Sequence, residues 1–175
     1  MTTSVDVLVI GSGLAGCSAA LAAARRGARV VMLSKGVHPE DTNTWWAQGG
    51  VIYRGAGDTP ERLAADILAA GAGLCDPSAV ELLSREGPRL VEELLIGDAG
   101  VPFDRLPAGE LHLTAEAAHS LPRIVHHADG TGRAIEEAML AAWSVILFIS
   151  VSPLVPLSAP MLTAPVLATG TPTAF

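Results

Sequence analysis

Charge is missing from the last fifth of this sequence: all 11 basic and 18 acidic residues lie between Asp6 and Glu137, and residues 138–175 carry none. That stretch also holds one of the 18 glycines, Gly170, but five of the 12 prolines. Aromatic residues make up only 4% of the chain, so any core must be aliphatic. The two cysteines, Cys17 and Cys75, form no Cys-x-x-Cys, and no histidine stands at ligand spacing from them. Neither a disulfide framework nor a metal site is expected, and reduced thiols point to the cytoplasm. Bases are too few for a nucleic-acid footprint, and a net charge of −7 repels phosphate backbones and anionic membranes. A membrane span is also excluded, because Ala141–Val151 offers eleven residues before Pro153 where about twenty are needed. The N-terminus lacks a base before its apolar run and has Asp6 inside it, so no secretory leader is expected.

What is present fits one ordinary domain, with 50% hydrophobic residues in 175. Residues 5–10, VDVLVI, read as a strand buried on both faces of a parallel sheet. An alanine-rich helix follows over 14–26, stopped by Gly27, and a second buried strand over 29–34 completes a strand, helix, strand unit. After a polar loop, short strands are predicted at 51–54, 111–113 and 123–128. Thr59-Pro60-Glu61 and Asp76-Pro77 mark helix starts, and Gly71-Ala72-Gly73 marks a stop. Apolar spacing at Val80, Leu83, Leu90, Leu94 and Leu95, interrupted by Gly87-Pro88, predicts two short helices ending near Gly97. A last helix spans 131–142, with Glu136 and Glu137 expected on its exposed side.

The sharpest motif is Gly11-Ser12-Gly13-Leu14-Ala15-Gly16, placed where the first strand ends and the first helix opens. Gly11 suits a tight turn, Gly13 lets backbone approach a pyrophosphate, and Gly16 lets the helix pack on the strand. A diphosphate over that helix N-terminus would meet free amides and the positive end of the dipole. The alternative is a glycine turn that serves packing alone. The acid expected about twenty residues later for a ribose hydroxyl is absent, since the second strand ends Ser34-Lys35.

Beyond that strand, MLSKG at 32–36 and NTWWAQGGV at 43–51 resemble the flavin-binding segment of the L-aspartate oxidase family and its fumarate reductase and succinate dehydrogenase relatives. The resemblance runs on through AGAGLCDPSAV at 70–80, GVPFDR at 100–105, GELHLT at 109–114 and HADGTGR at 127–133, covering about residues 4–142. It implies an α/β, Rossmann-like FAD-binding domain with a parallel sheet, incomplete and without a capping domain. Members are about three times the length of an average domain. By resemblance, Ser12, Gly13, Leu14 and Ala15 hold the diphosphate within a cofactor-binding loop bounded by Gly11 and Gly16, and Lys35 lies near the adenosine half. Asn43, Thr44, Trp45, Trp46, Ala47, Gln48, Gly49 and Gly50 line the flavin. Trp45 and Trp46 read equally as loop anchors. Respiratory relatives have a histidine at the place of Asn43 that bonds to FAD, so asparagine implies noncovalent FAD.

The resemblance also implies oxidation of L-aspartate to iminoaspartate, with oxygen or fumarate as acceptor, in NAD biosynthesis, and a product used by quinolinate synthase. Glu116 matches the glutamate that orients the substrate amine, and His119 and Arg123 match catalytic positions. Arg123 reads equally as a surface ion-pair partner. His126, His127 and Asp129 read as a strand end and a helix cap. The family's Arg-Glu-Gly-Gly-His run is here Ala115-Glu116-Ala117-Ala118-His119, which strains the backbone if either glycine needs a positive φ. Residues 143–175 form an uncharged, proline-rich tail of non-family character. They read as a strand, Trp143–Val151, with an unfolded remainder, or as the product of a frameshift or truncation. The second reading follows from three changes at one point: charge vanishes, proline rises and resemblance ends. The 175-residue chain alone is expected to be inactive. The alternatives are a fumarate reductase or succinate dehydrogenase type flavoprotein, and a non-catalytic FAD-binding remnant.

Overall fold

A computed structural model describes residues 4–36, 38, 40–142 and the backbone of 147–150. The proposed tail beyond residue 150 lies outside the described residues. Strand β1 (Val7–Ile10) leads through the glycine turn into helix α1 (Leu14–Ala24), which returns to β2 (Val30–Ser34), parallel to β1 with Val7 opposite Val30. A further strand, Leu147–Ser150, pairs parallel on the other side of β2 and gives the order first, second, last. β2 is therefore central, and its residues Val30, Val31, Met32 and Ser34 are buried. β1 departs from expectation. Its residues alternate, with Leu8 52% and Ile10 81% exposed, because among the described residues it is an edge strand with α1 packed on one face.

Alanine carries α1 close to the sheet, burying Cys17 and Ala20. Helix α2 (Pro60–Ala70) starts as its sequence demands: Thr59 Oγ1 accepts the Arg62 N–H at 3.2 Å, and Pro60 occupies the first turn. Helix α3 (Pro77–Leu90) is capped by Asp76, whose Oδ1 accepts from the Ser78 N–H at 2.8 Å and the Ala79 N–H at 3.3 Å. The predicted break at Gly87-Pro88 does not occur. α3 passes through Pro88 and continues as a π-helix, Val91–Asp98. The buried stripe is Val80, Ser84, Pro88, Val91 and Leu95, while Leu83 and Leu90 are exposed. A continuous packed face outweighs the single hydrogen bond that Pro88 removes.

A second, antiparallel sheet pairs β3 (Val51–Ile52) with β5 (Ile124–Val125), and β5 with β4 (Leu113–Thr114). These strands are shorter than expected. Pro122 precedes β5, and Ala128 beyond it takes a φ of +44°, which ends extended backbone. Helix α4 (Thr131–Ala141) packs on α1 and on the π-helix, and Ile135 and Met139 join Cys17, Ala20, Met32 and Val125 in one core. Its N-cap is Gly130, not Asp129, and the Thr131 hydroxyl accepts the His127 N–H at 2.9 Å.

Left-handed backbone falls on alanine at Ala72 (φ +47°) and Ala128. A β-carbon there costs about 1 to 2 kcal/mol, partly offset by the larger unfolded-state entropy of glycine, about 0.4 to 1 kcal/mol. Ala128→Gly is thus expected to raise the thermal midpoint by about 2 °C for a net gain of some 0.5 to 1 kcal/mol. A lower midpoint in a thermal melt would refute this account of the turn.

Candidate functional site

The glycine turn sits at the carboxyl end of β1, beside the end of β2, and the two are bonded together. The Gly11 N–H donates to the Leu33 carbonyl at 2.8 Å, and the Ser12 hydroxyl lies 3.3 Å from that of Ser34, which accepts the Gly36 N–H at 3.2 Å. Gly11 takes a φ of +107°, which glycine tolerates. Gly16 is there for contact: a β-carbon on it would stand 2.0 Å from the Gly11 carbonyl oxygen. Helix and strand therefore touch through backbone, as the motif requires.

The 42–50 segment lies against this turn. Thr44 Oγ1 accepts the Leu14 N–H at 3.1 Å, and Thr42 Oγ1 accepts the Trp45 N–H at 3.2 Å. Behind it, Gly132 at the start of α4 donates its N–H to the Ala47 carbonyl at 2.8 Å. A β-carbon on Gly132 would lie 1.9 Å from the Thr44 carbonyl oxygen, so the segment and α4 also meet backbone to backbone. The two tryptophans part company. Trp45 is partly buried with the Arg133 guanidinium 5.0 Å from its ring centroid, whereas Trp46 is 77% exposed. Gly11, Ala15, Lys35, Asn43, Ala47, Gln48 and Gly49 are all exposed, while Ser12 is buried and Gly13, Leu14, Gly16, Thr44 and Gly50 are half-buried. An extended, diphosphate-bearing cofactor fits this open cradle, whose backbone is already fixed by hydrogen bonds.

Of the three candidate catalytic residues, Glu116 reaches the cradle. It is exposed, and its Oε1 lies 3.8 Å from where a β-carbon on Gly49 would be. The His119 N–H donates to the Glu116 carbonyl at 3.0 Å, forming a turn. Ala117 and Ala118 are not among the residues of positive φ, so their departure from the family's glycines adds no backbone strain.

Arg123 is neither a surface partner nor free for a substrate. It is fully buried, with Nε and Nη2 donating to the two Asp58 oxygens at 2.8 and 2.9 Å and Nη1 to Asp66 Oδ2 at 2.5 Å. Burial works against its charge, but the two carboxylates outweigh it and hold its pKa above the ordinary value. Nη1 also lies 2.9 Å from His119 Nδ1. Guanidinium only donates, so this ring nitrogen is the acceptor. Asp66 further accepts from the Ser120 N–H and hydroxyl, both at 2.9 Å. The cluster pins the 119–123 segment to α2 and so holds the Glu116 turn in place. His126 and His127 belong to a separate group around Asp104, with His126 Nδ1 at 3.2 Å from its Oδ2.

One titratable residue contradicts expectation outright. Glu136 is fully buried, while Glu137 is exposed and paired with Arg133. Neither Glu136 oxygen has a hydrogen-bond partner among the described residues. Burial pushes its pKa up to about 7, the nearby Thr42 hydroxyl, outside hydrogen-bond geometry, opposes the shift, and Glu40 adds to it. Helical spacing carried the signal, since Gly132, Glu136 and Met139 share one face.

A family model described as an FAD binding domain matches residues 6–151. The L-aspartate oxidase of Halobacterium salinarum is 50% identical over 135 residues, covering 76% of this chain and 25% of that protein. That of Streptomyces coelicolor is 45% identical over 141 residues, covering 79% and 24%. The chain thus spans about a quarter of the length of these curated relatives. Among solved structures, Mycobacterium smegmatis Sdh1 in complex with UQ1 is similar with a TM-score of 0.77 and 26% identity, over 85% of this chain and 27% of that one. An Escherichia coli quinol fumarate reductase FrdA is similar with a TM-score of 0.75 and 27% identity, over 82% and 25%.

Proposed function

Because the chain belongs to the FAD-binding domain family, we propose that it is the cofactor-binding part of an L-aspartate oxidase, with the reaction, acceptors and place in NAD biosynthesis that the resemblance implies. Quinolinate synthase would take up the product. The observation that carries the reading is the approach of Glu116 to Gly49 within a chain 50% identical to a named L-aspartate oxidase.

In this reading FAD, once bound, supplies the two-electron acceptor. The chain's own residues bind and orient. Gly11–Gly16 present helix N-terminal amides to the diphosphate, and Asn43–Gly50 form the flavin wall. Asn43 cannot make the covalent link of a histidine, so FAD is held noncovalently. Glu116, a carboxylate at the exposed edge of that wall, suits the ammonium of an amino acid. It orients the amine and takes its proton. Arg123 and His119 position the Glu116 turn rather than touch substrate. We also place the protein in the cytoplasm, in keeping with its two free thiols, Cys17 and Cys75. Among the described residues no helix is long and apolar enough to cross a membrane.

Spanning a quarter of its relatives, the chain alone is expected to bind FAD without turnover. The test is the visible spectrum of the FAD-loaded chain. L-Aspartate should perturb the flavin band, succinate should not, and Glu116→Gln should weaken the response about tenfold or more, the loss of one charge-assisted hydrogen bond. A response to succinate instead would favour a fumarate reductase type flavoprotein, to which the solved structures are similar. Bleaching with peroxide formation would show that the chain turns over by itself.

A further inference from the structure

Glu136 has no place in the function proposed above, yet its charge is felt by Cys17, which bonds the glycine turn. Three elements meet around it. α1 contributes Cys17, whose thiol donates to the Ser12 carbonyl at 2.9 Å and is pushed up to about 12 by burial and by the charge of Glu136. The segment after β2 contributes Glu40, a second negative charge, and Thr42. The Thr42 β-carbon stands 3.6 Å from where a β-carbon on Gly13 would be. α4 itself meets the 42–50 segment backbone to backbone at Gly132, one helical turn before Glu136. A fully buried carboxyl with both oxygens unpartnered is tolerated far better neutral than ionised.

We propose that Glu136 is a positioning residue of the FAD site and that it takes up a proton from solvent when FAD binds. The physical reason is like charge. A diphosphate seated on Gly11–Gly16 adds negative charge beyond Cys17 and Thr42 as seen from Glu136, and it acts in the same sense as the charge of Glu40. The ionised form of Glu136 is then disfavoured further. Protonated, it donates its new O–H toward the Thr42 side and leaves the wall undisturbed. Above neutral pH the free protein carries Glu136 as an anion and must bind one proton for each FAD, so affinity falls as pH rises. Its free-state pKa of about 7 sets where the fall begins.

This rests on the family's cofactor binding at this turn, and one experiment separates the two. FAD is titrated into the 175-residue chain from pH 6 to 8.5 by flavin fluorescence, with proton uptake measured by calorimetry in two buffers. The wild type should weaken about tenfold between pH 7 and 8.5 and take up a proton. Glu136→Gln should bind with a flat profile and no uptake, and Glu136→Leu provides a second uncharged variant of apolar shape. A wild-type slope retained in Glu136→Gln, or a flat wild-type profile with FAD bound, overturns the role of Glu136 alone. Absence of FAD binding at every pH overturns the cofactor reading together with it.

Discussion

Replacing Arg123 with leucine is expected to lower the urea midpoint of the chain severely while leaving it able to fold. The guanidinium is fully buried and satisfies Asp58 through two hydrogen bonds and Asp66 through a third. Removing one partner of a buried ion pair costs about 3 to 5 kcal/mol. The whole stability of a domain is about 5 to 15 kcal/mol. Arg123→Lys should be intermediate, because an ammonium keeps the charge but not the planar fork that meets Asp58. Urea unfolding measures both, and a leucine variant with a wild-type midpoint would refute the role given to the cluster. Acid adds a second handle. The Ser120 N–H and the Arg123 guanidinium hold the Asp66 carboxyl down at about 2, below its ordinary 3.8. Its contribution is fully present above pH 3.8 and is lost as pH falls toward 2. Part of that acid dependence should disappear from the leucine variant.

Gly16→Ala should weaken FAD binding strongly while harming the fold less. The added methyl would fall 2.0 Å from the Gly11 carbonyl oxygen and 3.4 Å from Val9 Cγ1, so α1 must shift away from β1. Overpacking of this kind costs about 1 to 3 kcal/mol. The loss at the site is larger, because the Leu14 N–H, Thr44 and the turn itself move together. Affinity should drop by about 100-fold or more, equivalent to some 3 kcal/mol. Gly87→Ala is the control, since a β-carbon there finds Leu83 Cγ at an ordinary 4.0 Å and alanine favours the helix. If Gly16→Ala bound FAD like wild type, the close approach would serve packing alone.

What the sequence displayed and what it concealed divide by range. The glycine turn, the Thr59 and Asp76 caps and the β1-α1-β2 unit are local, each fixed by residues within a few positions of one another, and all were legible. The continuity of α3 across Pro88 was not, because packing of Val80, Ser84, Pro88, Val91 and Leu95 decided it. Arg123 was visible as a charge, but its partners Asp58 and Asp66 lie more than fifty positions away. Glu136 was visible too, and a charged residue on a helix is ordinarily exposed. Its helical register with Gly132 and Met139 was the better guide. The approach of Glu116 to Gly49 needed the second sheet, which no local pattern specifies.

The strand that carries Leu8 and Ile10 exposes apolar surface that bears on association between molecules. VDVLVI is β-branched, contains no proline and has a single charge, Asp6, which Arg29 engages at 2.9 Å. Among the described residues this segment is an edge of its sheet, and such an edge is a template on which another molecule's strand can add. Asp6 interrupts that apolar run, and because Arg29 holds its carboxyl down at about 2, only strongly acidic solution removes the charge.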